Sequence, residues 1–358
     1  MVSGHRILVT GDRGYFGSIL VPMLVEAGHF VQGMDQGYYA GCAFGEFQPA
    51  AASLRKDIRA ITADDLRGFD TVIHLAALSN DPLGDINPEL TLAINHRASV
   101  RLARLAKAAG VTRFVMSSSC STYGRSDGAI ISEASPLNPV TPYGRSKVMA
   151  EHGISELVDT NFCPVFLRHA TVYGLAPMLR FDLVVNNLVA YAVATGRVHL
   201  KSDGQAWRPL VHIEDVCRAC IAAATAEAGL VRNEVFNIGQ TVDNYQIFQI
   251  ADMIADTVPG SRVEMADGAS PDERSYNVNF SKAENGLPGF EPQWSVQRGV
   301  DQLFRAYTGV GLRTGDFEGV RYSRLARIID LMDAGKLDSE LNWRDRARPH
   351  GDQAEADV

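Results

Sequence analysis

The chain has few cysteines, no long apolar run and no excess of positive charge. Its 358 residues include five cysteines. An odd number in a long chain does not make a disulfide framework. Cys217 and Cys220 have CxxC spacing, but they lie in an alanine-rich helical stretch with no second pair and no ligand cluster nearby. They read as two small buried hydrophobes, and no metal is expected. No apolar stretch approaches the ~18 residues of a membrane span. The first residues run straight into a strand with no apolar leader segment, so a cytoplasmic protein without membrane partners is expected. The formal net charge of −8 argues against nucleic acid or an anionic membrane as the main partner. An anionic small-molecule substrate would then have to be met by local arginines.

What the chain does contain begins with a short apolar strand over residues 5–10. Gly11-Asp-Arg-Gly14-Tyr15-Phe16-Gly17 follows directly, and residues 18–28 read as an apolar helix stopped by Gly28. Strand, glycine turn and helix form the context of a dinucleotide fingerprint. Gly11 and Gly14 permit a tight turn and close approach to a pyrophosphate. Gly17 lets the helix pack on the strand, and the helix N-terminus faces the phosphates. The next strand, over 30–34, ends in Asp35, a carboxylate able to bind both ribose hydroxyls and to repel a 2′-phosphate. No Lys or Arg follows Asp35 until Arg55. The pattern predicts NAD rather than NADP.

Tyr143-Gly-Arg-Ser-Lys147 lies twenty-four residues beyond Ser119. A tyrosine serves as a base near neutral pH only if its phenol, ordinarily near a pKa of about 10, is pulled down. A lysine four residues on shares its helix face. That ammonium can stabilise a phenolate and reach a cofactor ribose, while the serine hydroxyl holds a substrate oxygen. Tyr143, Lys147 and Ser119 are the expected catalytic residues.

Strands over 71–76, 113–117 and 164–168 alternate with helices over 88–110 and 143–159. This alternation predicts an α/β fold, a Rossmann-type doubly wound parallel sheet with ligands beyond the strand C-terminal ends. Past residue 170 the regularity fades into segments over 182–195, 211–226, 235–238 and 245–258. The expected organisation is a cofactor domain over 1–175, with parts of 211–240 returning to the sheet. A smaller, discontinuous substrate lobe is expected mainly over 176–343, including a helical stretch over 322–341. A polar tail over 344–358 is expected to be disordered.

Over residues 5–310 the chain resembles the extended short-chain dehydrogenase/reductases, in the NAD-dependent nucleotide-sugar epimerase/dehydratase group. The resemblance is carried by the glycine turn, Asp35, Asp57-Ile58, His74-Leu75-Ala76-Ala77, Ser117-Ser-Ser119, Tyr143-x3-Lys147, Asn186-Asn187 and Arg208-Pro-x-x-His212-x-x-Asp215. It implies NAD contacts from Tyr15, Phe16, Asp57, Ile58, Leu75, Ala76, Ala77, Asn95 and Ser117. It implies a nucleoside-diphosphate sugar as substrate and a homodimer packed through two long helices per subunit. Asn187 and Arg208 would hold the diphosphate, with Arg180 and Arg274 as further clamps, and Ser79-Asn80-Asp81-Pro82 would face the sugar.

The chain departs from the group's pattern at three places. Dehydratases of the group carry an Asp-Glu pair after the Ser/Thr, where this chain has Cys120 and Ser121. A neutral hydroxyl cannot take a carbon-bound proton as a carboxylate does, so dehydration is disfavoured. Cys120 reads as packing or as a special acid, and His169 as a hydrogen-bonded neighbour of the nicotinamide or a second acid or base. The resemblance implies a nucleotide-sugar epimerase acting at C4 through a transient 4-keto sugar. The alternative is an NADH-linked ketoreductase or dehydrogenase of the same fold. A non-enzymatic binding protein is disfavoured because Tyr143, Lys147 and Ser119 are all present.

Overall fold

The computed structural model describes residues 4–79, 81–124, 128–270 and 275–344. Asn80, Arg274 and the expected tail from 345 onward lie outside the described residues. Seven parallel strands form the central sheet, in the spatial order Val235–Ile238, Cys163–His169, Arg113–Ser119, Thr71–His74, Arg6–Thr10, Phe30–Asp35 and Ser53–Arg55. The registers run unbroken, with Ile7 opposite both Val31 and Thr71. A sheet covered on both faces needs strands that are apolar throughout, and Ile7, Leu8, Val9, Val115 and Val165 are fully buried. Arg6–Thr10 lies inside the sheet, flanked by the second strand on one side and Thr71–His74 on the other. The strand order therefore reverses at its C-terminal end, where the glycine turn begins, and that is where this architecture opens a crevice.

Several expected elements divide differently. The helix expected over 88–110 is a helix Pro88–Leu92, a wider π-helical stretch Ala93–Ala98 and a helix Ser99–Ala108. The helix expected over 143–159 is Pro142–Ser155. Thr141 caps it, accepting from the Gly144 amide at 3.1 Å, and Pro142 starts it without losing a needed donor. Val211 and His212 end a strand, Trp207–His212, and His212 caps the helix Ile213–Thr225.

The second half builds smaller sheets. Trp207–His212 lies between Asn244–Gln246 and Thr171–Tyr173, and Arg197–Ser202 pairs with Arg262–Ser270. The helix expected within 322–341 is Arg324–Asp333. It and the turn after it do not extend the second lobe. Ile328, Leu331, Leu337 and Leu341 are buried in a cluster with Ile58, Leu78, Leu90 and Ile94, which belong to the first half. Burying such side chains contributes roughly 1.5–3 kcal/mol each. The segment also reaches the loop after Asp35, where the Tyr38 hydroxyl donates to the Leu341 carbonyl at 2.6 Å and the Trp343 indole to the Gln36 carbonyl at 2.9 Å. Apolar spacing announces a helix but does not name the surface it covers.

Candidate active site

One cavity of about 890 Å³ runs from Asp35 and Ile58, past the glycine turn, to Lys147 and Tyr143, and on to Asn187 and Arg208. That volume lies toward the upper end of the roughly 300–1,000 Å³ of small-molecule sites. The turn is built for close approach. Gly11 has φ +78°, and a Cβ there would sit 2.8 Å from the Ala76 amide nitrogen. A Cβ at Gly17 would lie 2.4 Å from the Asp12 and Gly11 carbonyl oxygens. Only glycine satisfies both positions, which leaves backbone exposed to the cavity at the head of helix Gly17–Glu26. Asp35 accepts the Gly37 amide at 2.7 Å and lines the cavity. Burial raises its carboxyl above the ordinary value, and Arg13 and Arg324 oppose that rise. The donor set and the carboxylate fit an adenosine ribose and a pyrophosphate.

Tyr143 stands at the first turn of its helix, beside Ser119 at the end of strand Arg113–Ser119, and both line the cavity. Ser121 completes a small hydroxyl cluster, its Oγ donating to Ser119 Oγ at 2.8 Å. Lys147 Nζ lies 5.8 Å from the Tyr143 ring centre and donates to the Ser117 carbonyl at 2.8 Å. The phenol does not show the expected fall in pKa. Desolvation pushes it up to about 12 and the Asp81 carboxylate adds to the rise, while Arg180 and the Ser119 hydroxyl pull it down. Lys147 is itself driven down to about 8 by desolvation, with Glu151 opposing. An ammonium that costs this much to bury is a proton-labile group rather than a fixed charge.

The remaining expected residues sort by position. Gly14, Tyr15, Phe16, Asp57, Leu75, Ala76, Ala77, Ser79, Ser117 and Arg180 all line the cavity. Asp57 is also tied to Arg59 and caps the turn Ile58–Ala60. Tyr15 donates to the Gly174 carbonyl at 2.6 Å. Arg180 is buried, ion-paired to Asp182 and bonded to Ser79 Oγ at 3.1 Å. Asn95 is not on the cavity wall. Its amide is used up by the Leu78 amide and carbonyl and by Ser146, so it braces the loop after His74. Asn187 Nδ2 bonds the Phe181 carbonyl.

Two of the three departures take different places, Cys120 away from the cavity and His169 on its wall with a buried Nδ1 that has no hydrogen-bond partner among the described residues. Cys120 is fully buried off the cavity wall, with Sγ 3.3 Å from the Arg168 carbonyl, and burial pushes its thiol well above the ordinary value. His169 packs edge-on against Phe16, with Nε2 3.1 Å from Ser117 Oγ. Burial, reinforced by Lys147, lowers it to about 3. A histidine lowered to about 3 is neutral near pH 7. The pH–rate profile is therefore expected to show no step near pH 6.5 from His169, and His169→Gln is expected to leave its shape unchanged. A limb near pH 6.5 that disappears in the variant would contradict this.

Sequence reasoning placed Asp81 only within the segment facing the sugar, and missed Asp12 and the Glu151–Arg168 pair. Asp81 opens the helix Asp81–Ile86, lines the cavity and is felt by Tyr143. Asp12, inside the glycine turn, accepts from Ser53 Oγ at 2.9 Å and is raised to about 6 by burial and Asp35. Glu151 and Arg168 form a buried ion pair behind the site, to which Ser118 donates a hydrogen bond. Glu151 is four residues past Lys147, so helix spacing alone could have placed it on that face.

A parallel sheet with a glycine fingerprint at its switch point, an acidic ribose site and a Ser–Tyr–Lys group define a dinucleotide-dependent enzyme of the short-chain type. The NAD dependent epimerase/dehydratase family model matches residues 7–239. The chain belongs to that family, and NAD is its cofactor. A UDP-glucose 4-epimerase from Corynebacterium glutamicum is 28% identical over 322 residues, covering 85% of this chain and 95% of its own. MoeE5, solved with UDP-glucose and NAD, is 28% identical with a TM-score of 0.70, covering 85% of this chain and 99% of its own. DesIV, a dTDP-glucose 4,6-dehydratase from Streptomyces venezuelae solved with NAD and TYD, is 26% identical with a TM-score of 0.73, covering 87% and 99%. Among the described residues no helix is long and apolar enough to cross a membrane.

Proposed function

We propose that the chain is a nucleotide-sugar epimerase acting at C4 through a transient 4-keto sugar. The observation that carries this is the hydroxyl cluster of Tyr143, Ser119 and Ser121, with Lys147 behind it, at the middle of a cavity that continues to Arg180 and Arg208. Bound in the cavity, NAD would supply the hydride acceptor and donor for the sugar carbon. The chain's own residues handle the proton and the orientation. Tyr143 takes the proton of the sugar hydroxyl and later gives it back. Ser119 holds the same oxygen, and Ser121 orders Ser119. Lys147 Nζ meets the nicotinamide ribose and supplies positive charge beside the phenol. Asp35 takes the adenosine ribose, and Asp57 and Ile58 flank the adenine end. Arg208, Asn187 and Arg180 meet the sugar diphosphate. Residues 1–175, with 211–240 and the segment from Arg324 that packs on them, form the cofactor unit, and the rest of the chain from 176 supplies the substrate contacts.

A cytoplasmic homodimer fits this reading. Met149 stands exposed on the long helix Pro142–Ser155, and the family resemblance implies pairing through two long helices per subunit. All five cysteines are free thiols.

Elimination of water is the second reading, and Asp81 supports it by placing a carboxylate within electrostatic reach of Tyr143. A mass spectrum of products from a panel of nucleotide sugars, incubated in D2O with catalytic NAD, separates the two. Epimerisation is expected to give a new chromatographic peak of unchanged mass, because the hydride returns from the cofactor. A product lighter by water with solvent deuterium on carbon would establish elimination. A two-hydrogen change with stoichiometric cofactor use would establish a dehydrogenase or reductase.

A further inference from the structure

Helix Arg324–Asp333 lies outside the segment matched by the family, yet its first side chain ends in the cofactor cavity. Arg324 is 3% exposed. Its guanidinium carbon lies 4.0 Å from the Tyr39 ring centre, and Nη2 donates to the Met178 carbonyl at 2.8 Å. Buried Nη1 has no hydrogen-bond partner among the described residues. A buried guanidinium edge without an acceptor costs free energy unless a ligand completes it.

The surroundings say which ligand. The Met178 amide points to Ser18 Oγ at 3.4 Å, in the first turn of the helix that follows the glycine turn. Arg324 is felt electrostatically by Asp35 at one end of the cavity and by Arg180 toward the other. A dinucleotide laid from Asp35 to Lys147 has its pyrophosphate between those ends. Arg180 is already paired with Asp182, whose carboxylate also acts on Arg324, so the edge left for an anion is the unpartnered Nη1 of Arg324. We propose that Arg324 is a pyrophosphate ligand of NAD, and that the C-terminal segment through Trp343 is the latch that carries it. The latch is anchored independently. Arg327 donates to the Tyr38 carbonyl, Arg321 to the Ala43 carbonyl and Trp343 to the Gln36 carbonyl. The loop after Asp35 is thereby clamped beneath the segment. Guanidinium is suited to this position because it stays charged when buried and offers a bidentate edge.

Binding calorimetry on the full chain stripped of cofactor tests the proposal with NAD, ADP-ribose and adenosine as probes. Arg324→Met is expected to weaken NAD and ADP-ribose by roughly ten- to a hundredfold and to leave adenosine unchanged, with Arg324→Lys recovering part of the loss. Equal loss for adenosine, or no loss for any probe, overturns it. Hydrogen exchange on the wild-type chain keeps the test open if a variant fails to fold. ADP-ribose is expected to slow exchange over 324–343 and adenosine is not; unchanged exchange with ADP-ribose overturns the proposal. No sugar substrate enters either measurement, so failure here is distinct from failure of the epimerase reading.

Discussion

Tyr143→Phe is expected to lower turnover by roughly 10²–10⁴-fold while NAD stays bound. The substitution removes one oxygen and leaves the ring. The helix cap at Thr141, the contact of Lys147 with Ser117 and the cavity wall do not depend on the phenol oxygen. The measurements are steady-state rate and cofactor content of the purified variant. Full cofactor content with lost turnover assigns the proton step to the phenol. Retention of most activity would show that another group takes the proton, and Asp81 would be the first to examine, since its carboxylate is already felt at this position. The pKa of about 12 sharpens the expectation. A phenol that high is almost entirely protonated at neutral pH, so activity should climb with pH until Lys147, near 8, begins to lose its proton, and level off above that. The sign follows from the roles, since the base must be deprotonated and the ammonium must remain charged.

The cofactor half of the molecule was legible because its rules are local. A glycine turn after a strand and an acid at the next strand end are dictated by backbone sterics and charge. The sheet places Asp35 and Gly11 as those rules require. The hydroxyl group at Ser119 and Tyr143 was legible for a similar reason, because helix spacing and strand ends fix both positions. What could not be read depends on contacts between distant segments. Arg13 is next to Asp12 in sequence, and Arg324 is 289 positions from Asp35, yet both charges act on Asp35. The absence of Lys or Arg between Asp35 and Arg55 therefore described the strand, not the site. Asn95 resembles a cofactor contact by motif, but its amide is consumed by the Leu78 backbone. The direction of the Tyr143 shift was missed because helix spacing brings Lys147 near without counting the desolvation of both groups or the approach of Asp81.

Removing one partner of the Glu151–Arg168 pair should produce the largest loss of stability of any single charge change behind the site. Both side chains are buried, and Arg168 bonds Glu151 through Nε and Nη2 while Nη1 donates to the Tyr123 hydroxyl at 3.0 Å. Tyr123 in turn donates to Asn237 on the neighbouring strand Val235–Ile238 at 2.7 Å. The pair thus ties the helix of Tyr143 and Lys147 to two strands of the sheet. Glu151→Ala leaves a guanidinium buried without its counter-charge, and breaking such a pair costs about 3–5 kcal/mol. The urea midpoint is expected to fall accordingly. Glu151→Leu combined with Arg168→Met is expected to cost much less than the sum of the single changes, because no uncompensated charge remains. Activity separates support from packing. Glu151 opposes the fall of Lys147, so Glu151→Gln should move the upper limb of the pH–rate profile's rise, where it levels off, to lower pH. An unmoved limb in a destabilised variant would confine Glu151 to holding the fold. A shifted limb would show that the same carboxylate also keeps the lysine charged.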